Sequence, residues 1–423
     1  MIDINRIRNN KEEIELALLK RMDNVNLDEV LELDKEKRKL GTFLDECRAK
    51  RRKVSDTIPK MKKAGEDTTA IVKEMKELGN QIDEGMIKYN ELEDKIFNYL
   101  SYLPNIPDED ISAGGKENNI VLNTYLEKPK FNFEIKPHYE ILKDKEMVDY
   151  DRGVKIGGTK SWIYKGIGAR LEWALINYFI DTHIKNGFEF MMVPYMLNYE
   201  CGFGAGQFPK FNDEVYTINT EDGNKKFLLP TAETALVNVH ANEIMDINDL
   251  PKKYFAYTQC FRVEAGSSRE EERGTIRGHQ FNKVEMVEYV TEDKTEEAFN
   301  ELLNIAEGIM KNLGLHYQVS KLAAGDCSQG MCRTYDIEVW IPSMGIYKEV
   351  SSVSNSRDYQ ARRNNTKYRD ENGNLHYACT LNASGLATSR LLPAIVEQYQ
   401  NEDGSITIPE VLRPYLGGLE IIN

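Results

Sequence analysis

No run of eighteen apolar residues occurs anywhere in the chain, and its first residues, Met1, Ile2, Asp3, Ile4, Asn5 and Arg6, lack the basic-then-apolar layout of an export signal. Neither a membrane span nor a secretory leader is expected, and the cytoplasm is the default location. The six cysteines, Cys47, Cys201, Cys260, Cys327, Cys332 and Cys379, form no CxxC pair, which argues against a disulfide framework or a structural zinc site. Cys327 and Cys332 lie five apart but have no His near them in sequence, so a shared metal is disfavoured. A Walker loop is also missing: in GGTKS, Gly157 to Ser161, Thr159 intrudes before Lys160, and the GFGAG run from Gly202 to Gly206 is a weak signal. Any nucleotide site must be of another design. Positive charge is scarce as well, with a formal net charge of -14 over 423 residues, and no low-complexity tract stands out. With 41% hydrophobic and 29% charged residues, the length and composition suit a soluble protein of two domains.

Against that acidic background, Arg48, Lys50, Arg51, Arg52, Lys53, Lys60, Lys62 and Lys63 cluster with Asp56 as the one acid among them. Ile71, Met75, Leu78, Ile82, Gly85, Tyr89, Leu92, Ile96, Tyr99 and Leu103 follow in steps of four and three, the period of a coiled coil. Before the basic cluster, Val30, Leu33, Leu40, Leu44, Cys47, Val54 and Ile58 show related spacings, and Pro59 followed by Gly65 is expected to stop that helix and reverse the chain. The pattern predicts two antiparallel arms, a rod of about 50 Å at 1.5 Å per residue, with the cations at its turn. Such a tip is either the solvated end of a dimerising coiled coil or a contact for nucleic acid.

Pro104, Pro107, Gly114 and Gly115, among Asn and Asp, mark 104–130 as a linker between a domain at 1–103 and another at 131–423. Beyond it, β-branched and aromatic runs (Glu189 to Val193, Lys226 to Leu229, Tyr254 to Phe261, Phe281 to Val290, Tyr335 to Ile341, Ile346 to Val350) alternate with helical stretches at Ala169 to Lys185, Glu296 to Asn312 and Ser389 to Gln400. Few regular βαβ spacings appear, so the expected body is α+β on an antiparallel sheet. Between Gln259 and Val290 the pattern reads as a hairpin with a long polar loop. Arg262 and Glu264 sit two apart and are expected on one strand face; Phe281, Lys283 and Glu285 share a face on the return strand. An aromatic plate, cations and acids on one face suit a nucleotide beside a small amphoteric ligand, whereas any one pair alone would fit a cross-strand ion pair.

FRVEAGS, TIRGHQF and KVE, in that order, resemble motif 2 of the class II aminoacyl-tRNA synthetases in its seryl form. GAGQFPKF (Gly204 to Phe211), LLPTAE (Leu228 to Glu233), TYDIEVWIPS (Thr334 to Ser343), YKEVSSVSN (Tyr347 to Asn355), YQARR (Tyr359 to Arg363), TLNASGLATSR (Thr380 to Arg390) and IPEVLRPYLGG (Ile408 to Gly418) are similar to seryl-tRNA synthetase segments, and Pro194 stands where the motif 1 proline of a homodimer interface would be. The resemblance implies a class II catalytic domain preceded by a tRNA-binding coiled-coil arm. It further implies that Arg262 holds the ATP α-phosphate, Glu264 the adenine amino group, Phe281 stacks on the ring and Arg390 clamps the γ-phosphate. Glu349 and Ser352 would carry Mg2+, Thr231 and Glu233 the ammonium of L-serine, and Glu285 and Ser384 its hydroxyl. The partner implied for the basic tip is the variable arm of tRNA(Ser), with tRNA(Sec) as a further candidate.

The implied reaction is serine activation to the adenylate, then transfer to tRNA, with no side chain as nucleophile; His279 is read as a loop anchor ahead of a base. Val263, Lys348, Val353, Ala383 and Ser389 depart from common choices at their positions in the family, and Glu270, Glu271 and Glu272 put three acids in a loop that nears the acceptor stem. Those acids are expected to repel RNA and hinder transfer. Two rival readings remain open at the level of sequence: a specialised or drug-resistance paralogue making seryl adenylate or seryl-tRNA, and a catalytically silent RNA-binding dimer.

Overall fold

A computed structural model describes residues 1–221, 223–264 and 273–423. The chain divides into two compact units, one of Ile2–Leu19 and Asp23–Leu103, the other of Met1, Lys20–Met22 and Pro104–Asn423.

In the first unit two short helices, α1 (Ile4–Asn9) and α2 (Lys11–Leu18), precede the long pair α3 (Asp28–Ala64) and α4 (Thr69–Tyr102). Asp28 and Glu29 place negative charge at the positive end of α3, and the Asn26 side chain accepts a hydrogen bond from the Asp28 N–H. The pair is antiparallel: Lys37 meets Glu93 at 2.6 Å, Leu44 packs over Gly85, and Lys50 meets Glu74 at 2.6 Å. Leu78, Ile82, Leu92, Ile96 and Leu103 of the heptad seam are buried. Each buried Leu or Ile contributes about 1.5–3 kcal/mol, so the seam carries the hairpin. The expected stop at Pro59 does not occur, and α3 continues to Ala64. A proline inside a helix forfeits one backbone hydrogen bond, a loss the flanking turns and the packed partner helix absorb. Gly65, the second residue of the expected stop, ends the helix at φ 76, with the Glu66 N–H bonded to the Met61 carbonyl as in a Schellman cap.

The second unit is built on an eight-stranded sheet. In chain order its strands are β1 (Ile120–Tyr125), β2 (Glu189–Phe190), β3 (Lys252–Phe261), β4 (Gln280–Val290), β5 (Tyr317–Lys321), β6 (Arg333–Ile341), β7 (Ile346–Arg357) and β8 (Cys379–Ala387). They lie side by side as β1-β5-β6-β7-β8-β4-β3-β2, antiparallel except at the β2–β3 edge. Helices α5 (Gly166–Lys185), α6 (Thr295–Asn312) and α7 (Thr388–Gln398) pack on one face, where Val284, Met286 and Leu381 join Phe179, Phe299 and Leu392 in the main core. Period-2 alternation sends Lys283 and Glu285 of β4 and Asn382 and Ser384 of β8 to the opposite face. That face is the one left for chemistry.

Three expectations change. The segment 104–130 groups with the second unit, and its β1 pairs with β5 at the sheet edge. β3 ends at Phe261, so Arg262 and Glu264 lie beyond the strand, and Glu264 adopts φ 52. The central strand β8, which alternation in the sequence did not reveal, lies between β7 and β4.

Candidate active site

One cavity of about 730 Å³ lies on the open face of the sheet, and Thr231, Glu233, Arg262, Glu285, Ser384 and Arg390 all line it, together with Glu349 and Ser352. A smaller hollow of about 330 Å³ shares Thr231, Glu233 and Arg262 with it and adds Glu264. Residues 231 to 390 are thus gathered from a short turn, the end of β3, three central strands and the first turn of α7.

At one end is a dense polar cage. Lys283 donates to Thr231 Oγ1 at 2.7 Å and meets Glu285 Oε2 at 2.5 Å, while the Ser384 hydroxyl donates to Glu285 Oε2 at 3.2 Å. Both charged groups are buried, so removing either partner would strand the other at a cost of about 3–5 kcal/mol. Glu233 accepts from Gln360 at 2.8 Å and from Asn382 at 3.1 Å. Burial, reinforced by the charge of Glu285, pushes its carboxyl up to about 7. The cage holds two carboxylates, two hydroxyls and one ammonium, complementary to a ligand that is itself ammonium, hydroxyl and carboxylate.

Arg262 carries the cage toward the other end. Its N–H is bonded to the His279 carbonyl at 2.9 Å, its Nε donates to the Pro230 carbonyl at 3.3 Å, and its guanidinium stands 5.1 Å from the centre of the Phe281 ring. His279 Nδ1 lies 3.1 Å from the Arg262 carbonyl, so the imidazole braces this turn. Arg277 pairs with Glu264 at 2.5 Å.

At the far end, Arg390 donates to the Glu349 carbonyl at 2.8 Å and approaches the Glu349 carboxylate at 3.4 Å. The Ser352 hydroxyl lies 2.6 Å from Asp336 Oδ1 and 3.1 Å from Glu349 Oε1. Burial and the neighbouring Glu349 charge raise the Asp336 carboxyl well above its usual range. Burial opposes ionisation of Glu349 too, but the Arg390 and Arg262 guanidinium groups outweigh it and hold that carboxyl low. Of the two carboxyls, Glu349 is the one whose ionised form its surroundings favour and Asp336 the one whose ionised form they oppose. Hard oxygen donors beside guanidinium groups fit a magnesium ion that takes one or two carboxylates from protein and the rest from phosphate and water. Among the described residues no group of three or more His, Cys, Asp or Glu could hold a metal ion by itself.

Sequence reasoning placed Lys283 on the ligand face without naming its partners, and gave no role to Asp336, Gln360, Asn382 or Arg277; all five act on the groups above. Alternation with Glu338 around Asp336, and with Ser384 around Asn382, was the available signal. Glu270, Glu271 and Glu272 lie outside the described residues. In the other unit Arg48, Lys50, Arg51, Arg52, Lys53, Lys60, Lys62 and Lys63 are all exposed on α3, Lys50 paired with Glu74 and Arg48 with Asp45 at 3.2 Å.

Comparison with known proteins agrees along the whole length. Residues 1–107 match the seryl-tRNA synthetase N-terminal domain, and residues 216–399 the class II tRNA synthetase core domain (G, H, P, S and T). The chain is 54% identical to serine--tRNA ligase 2 of Clostridium acetobutylicum, over 99% of both chains, and 43% identical to serine--tRNA ligase of Fervidobacterium nodosum, over 99% of this chain and 98% of that one. Among solved structures, seryl-tRNA synthetase from Pyrococcus horikoshii complexed with ATP superposes with a TM-score of 0.94 at 33% identity, covering 100% of this chain and 99% of that one. The cytoplasmic serine-tRNA ligase of Naegleria fowleri in complex with AMP gives 0.89 at 28% identity, with the same coverage. Cage, guanidinium pair, antiparallel sheet and helical hairpin thus occur in a chain that belongs to the seryl-tRNA synthetase family, the serine-tRNA ligases of class II.

Proposed function

We propose that this ligase joins L-serine to ATP in the 730 Å³ cavity and then charges tRNA(Ser). The observation that carries this reading is the adjacency of the Thr231, Glu233, Glu285 and Ser384 cage to Arg262 and Arg390. The serine ammonium sits between Thr231 and Glu233, and its hydroxyl against Glu285 and Ser384. Arg262 binds the α-phosphate, Arg390 the γ-phosphate, Phe281 stacks on adenine and Glu264 accepts from its amino group once Arg277 yields.

A serine carboxylate oxygen attacks the α-phosphorus, the bond to the bridging oxygen of the β-phosphate breaks, and pyrophosphate leaves with that electron pair. A terminal tRNA hydroxyl then attacks the seryl carbonyl and AMP departs. Alignment supplies much of the acceleration, and the two guanidinium groups neutralise charge as the bonds rearrange. Glu349 and Ser352 would hold Mg2+, which would supply positive charge against that of the phosphates. Lys283, 2.5 Å from Glu285 Oε2, fixes the orientation of that buried carboxylate as an acceptor for the substrate hydroxyl.

Division of labour follows the chain: residues 1–103 grip tRNA through the basic tip, and 131–423 form the catalytic body, a homodimer with Pro194 at its interface, working in the cytoplasm. Recognition of the tRNA variable arm rests on phosphate and shape, and tRNA(Sec) is a second acceptor of the same kind. A specialised paralogue is favoured over a silent RNA-binding dimer as the second reading, because the sequence carries three acids, Glu270, Glu271 and Glu272, where the resemblance expects a loop near the acceptor stem, while the cavity residues are intact. Pyrophosphate exchange with serine, threonine and alanine tests the first step. Exchange is expected with serine alone, since a buried carboxylate without its hydroxyl partner penalises alanine by more than size does. No serine-dependent exchange would remove both enzyme readings.

A further inference from the structure

The cavity wall formed by residues 327–331 has no regular secondary structure, yet every carbonyl in it has a donor. Arg21 Nη2 donates to the Cys327 carbonyl at 2.7 Å and the Ser328 carbonyl at 2.9 Å, and its Nη1 to the Met331 carbonyl at 2.9 Å. The Gln329 carbonyl accepts from the Asn105 N–H at 2.7 Å and the Gly330 carbonyl from the Asn105 amide at 2.9 Å. Arg21 closes the arrangement by donating to the Asn105 carbonyl at 2.9 Å. Five consecutive carbonyls are thus held from behind by two residues far away in sequence.

No carboxylate pairs with Arg21 among the described residues, and burial lowers its pKa. A desolvated cation without an acid is costly, and four carbonyl dipoles offset that cost only for a planar fork that can address them at once. Lysine, a point charge, cannot reproduce the pattern. The wall so held leads to the substrate cage: Ser328 and Met331 line the cavity, and Met331 Sδ lies 3.9 Å from the Asn382 amide that donates to Glu233 at 3.1 Å.

We propose that Arg21 is a positioning residue for amino-acid recognition, fixing the 327–331 backbone so that Met331 and Asn382 hold Glu233 in place for the substrate ammonium. Arg390, Glu349 and Phe281 make none of the bonds above, and although Ser328 to Met331 also line the smaller hollow with Arg262 and Glu264, the bonds from this wall run to Asn382 and Glu233, so the larger effect is expected at the amino-acid end. The inference rests on reading the cage as the serine site.

The test is pyrophosphate exchange with the full-length chain as wild type, Arg21→Lys and Arg21→Ala. For both variants the serine KM is expected to rise roughly tenfold, about 1.4 kcal/mol, with the ATP KM within about twofold of wild type. Added ethylguanidinium should lower the serine KM of Arg21→Ala and leave Arg21→Lys unchanged. Arg21→Lys keeps charge and stem, so it keeps the measurement interpretable if the alanine variant melts. A serine KM unchanged in Arg21→Lys, or serine and ATP KM rising in parallel with a lower melting temperature, overturns the proposal. Absence of serine-dependent exchange in the wild type is a different failure, that of the serine assignment itself.

Discussion

Glu233 combines two features that pull in opposite directions: its carboxyl is pushed up to about 7 by burial and by Glu285, and its proposed ligand is an ammonium that needs it ionised. Binding of that ammonium must therefore draw off a proton below the pKa and need not above it. The serine KM in pyrophosphate exchange is expected to fall as pH rises from about 6 to 8, levelling above the Glu233 pKa. Glu233→Gln keeps the shape and the Gln360 and Asn382 neighbours but removes the charge; its serine KM should rise roughly a hundredfold, about 2.7 kcal/mol, and lose the pH dependence. A flat profile in the wild type would show that Glu233 does not meet the ammonium. The residue types at this site were legible in sequence because arginines, acids and an aromatic at alternate positions are unusual together. Lys283 was visible on that face, but its partners, Thr231 from a turn and Ser384 from another strand, are brought to it by the fold.

Among the elements, the helical hairpin was the most readable, since apolar residues in steps of three and four along 71–103 admit one packing, and Leu78, Ile82, Leu92 and Ile96 are buried as that spacing requires. Pro59 misled because a single proline weakens a long helix without ending it. Strand β8 escaped because its alternation is of small and polar residues, Thr380, Asn382 and Ser384 against Leu381 and Ala383, with little hydrophobic contrast. Strand β1 escaped for the opposite reason: a two-sided exposed edge strand amid Asn and Gly looks like a linker. The hairpin also sharpens the RNA claim. Lys50 and Arg48 are tied to Glu74 and Asp45, whereas Arg51, Arg52, Lys53 and Lys60 are exposed. Replacing these last four by Ala should cut tRNA charging about a hundredfold at moderate salt, flatten the salt dependence of tRNA binding and leave pyrophosphate exchange near wild type. Equal losses in charging and exchange would mean that the tip supports the fold instead of the RNA.

For the whole molecule, function and stability respond to pH with opposite sign. Glu172, Glu233 and Glu288 have their carboxyls raised to about 7, 7 and 8, each by burial first. Protonated in the folded chain and ionised in the unfolded one, such groups make the folded state the better proton binder, so stability falls as pH rises from the ordinary carboxylate range through their folded values. His183, lowered to about 4 by burial that outweighs its hydrogen bond to the Gly385 carbonyl, acts the other way, adding stability as pH rises to its unfolded value near 6.5 and nothing beyond. Urea melts should therefore show a decline from about pH 5 to about 7, where Glu172 and Glu233 reach their folded values, and a flatter one from there to about 8, where Glu288 alone still contributes. Glu288 offers the clean test, because it lies outside the catalytic cavity, on β4 between Lys253 and the α6 carboxylates Glu297 and Glu301, with Oε1 buried and unpartnered. Lys253 lowers its pKa, but burial and the two α6 acids outweigh that cation. Glu288→Gln removes one ionisation, worth up to about 1.4 kcal/mol per pH unit in slope. The variant should match wild type near pH 4, below the unfolded carboxylate range, and exceed it by a growing margin as pH rises to 8, while its serine KM keeps the wild-type pH profile. Parallel stability curves for the two proteins would show that Glu288 is ionised in the fold, and that the raised pKa assigned to its burial is wrong.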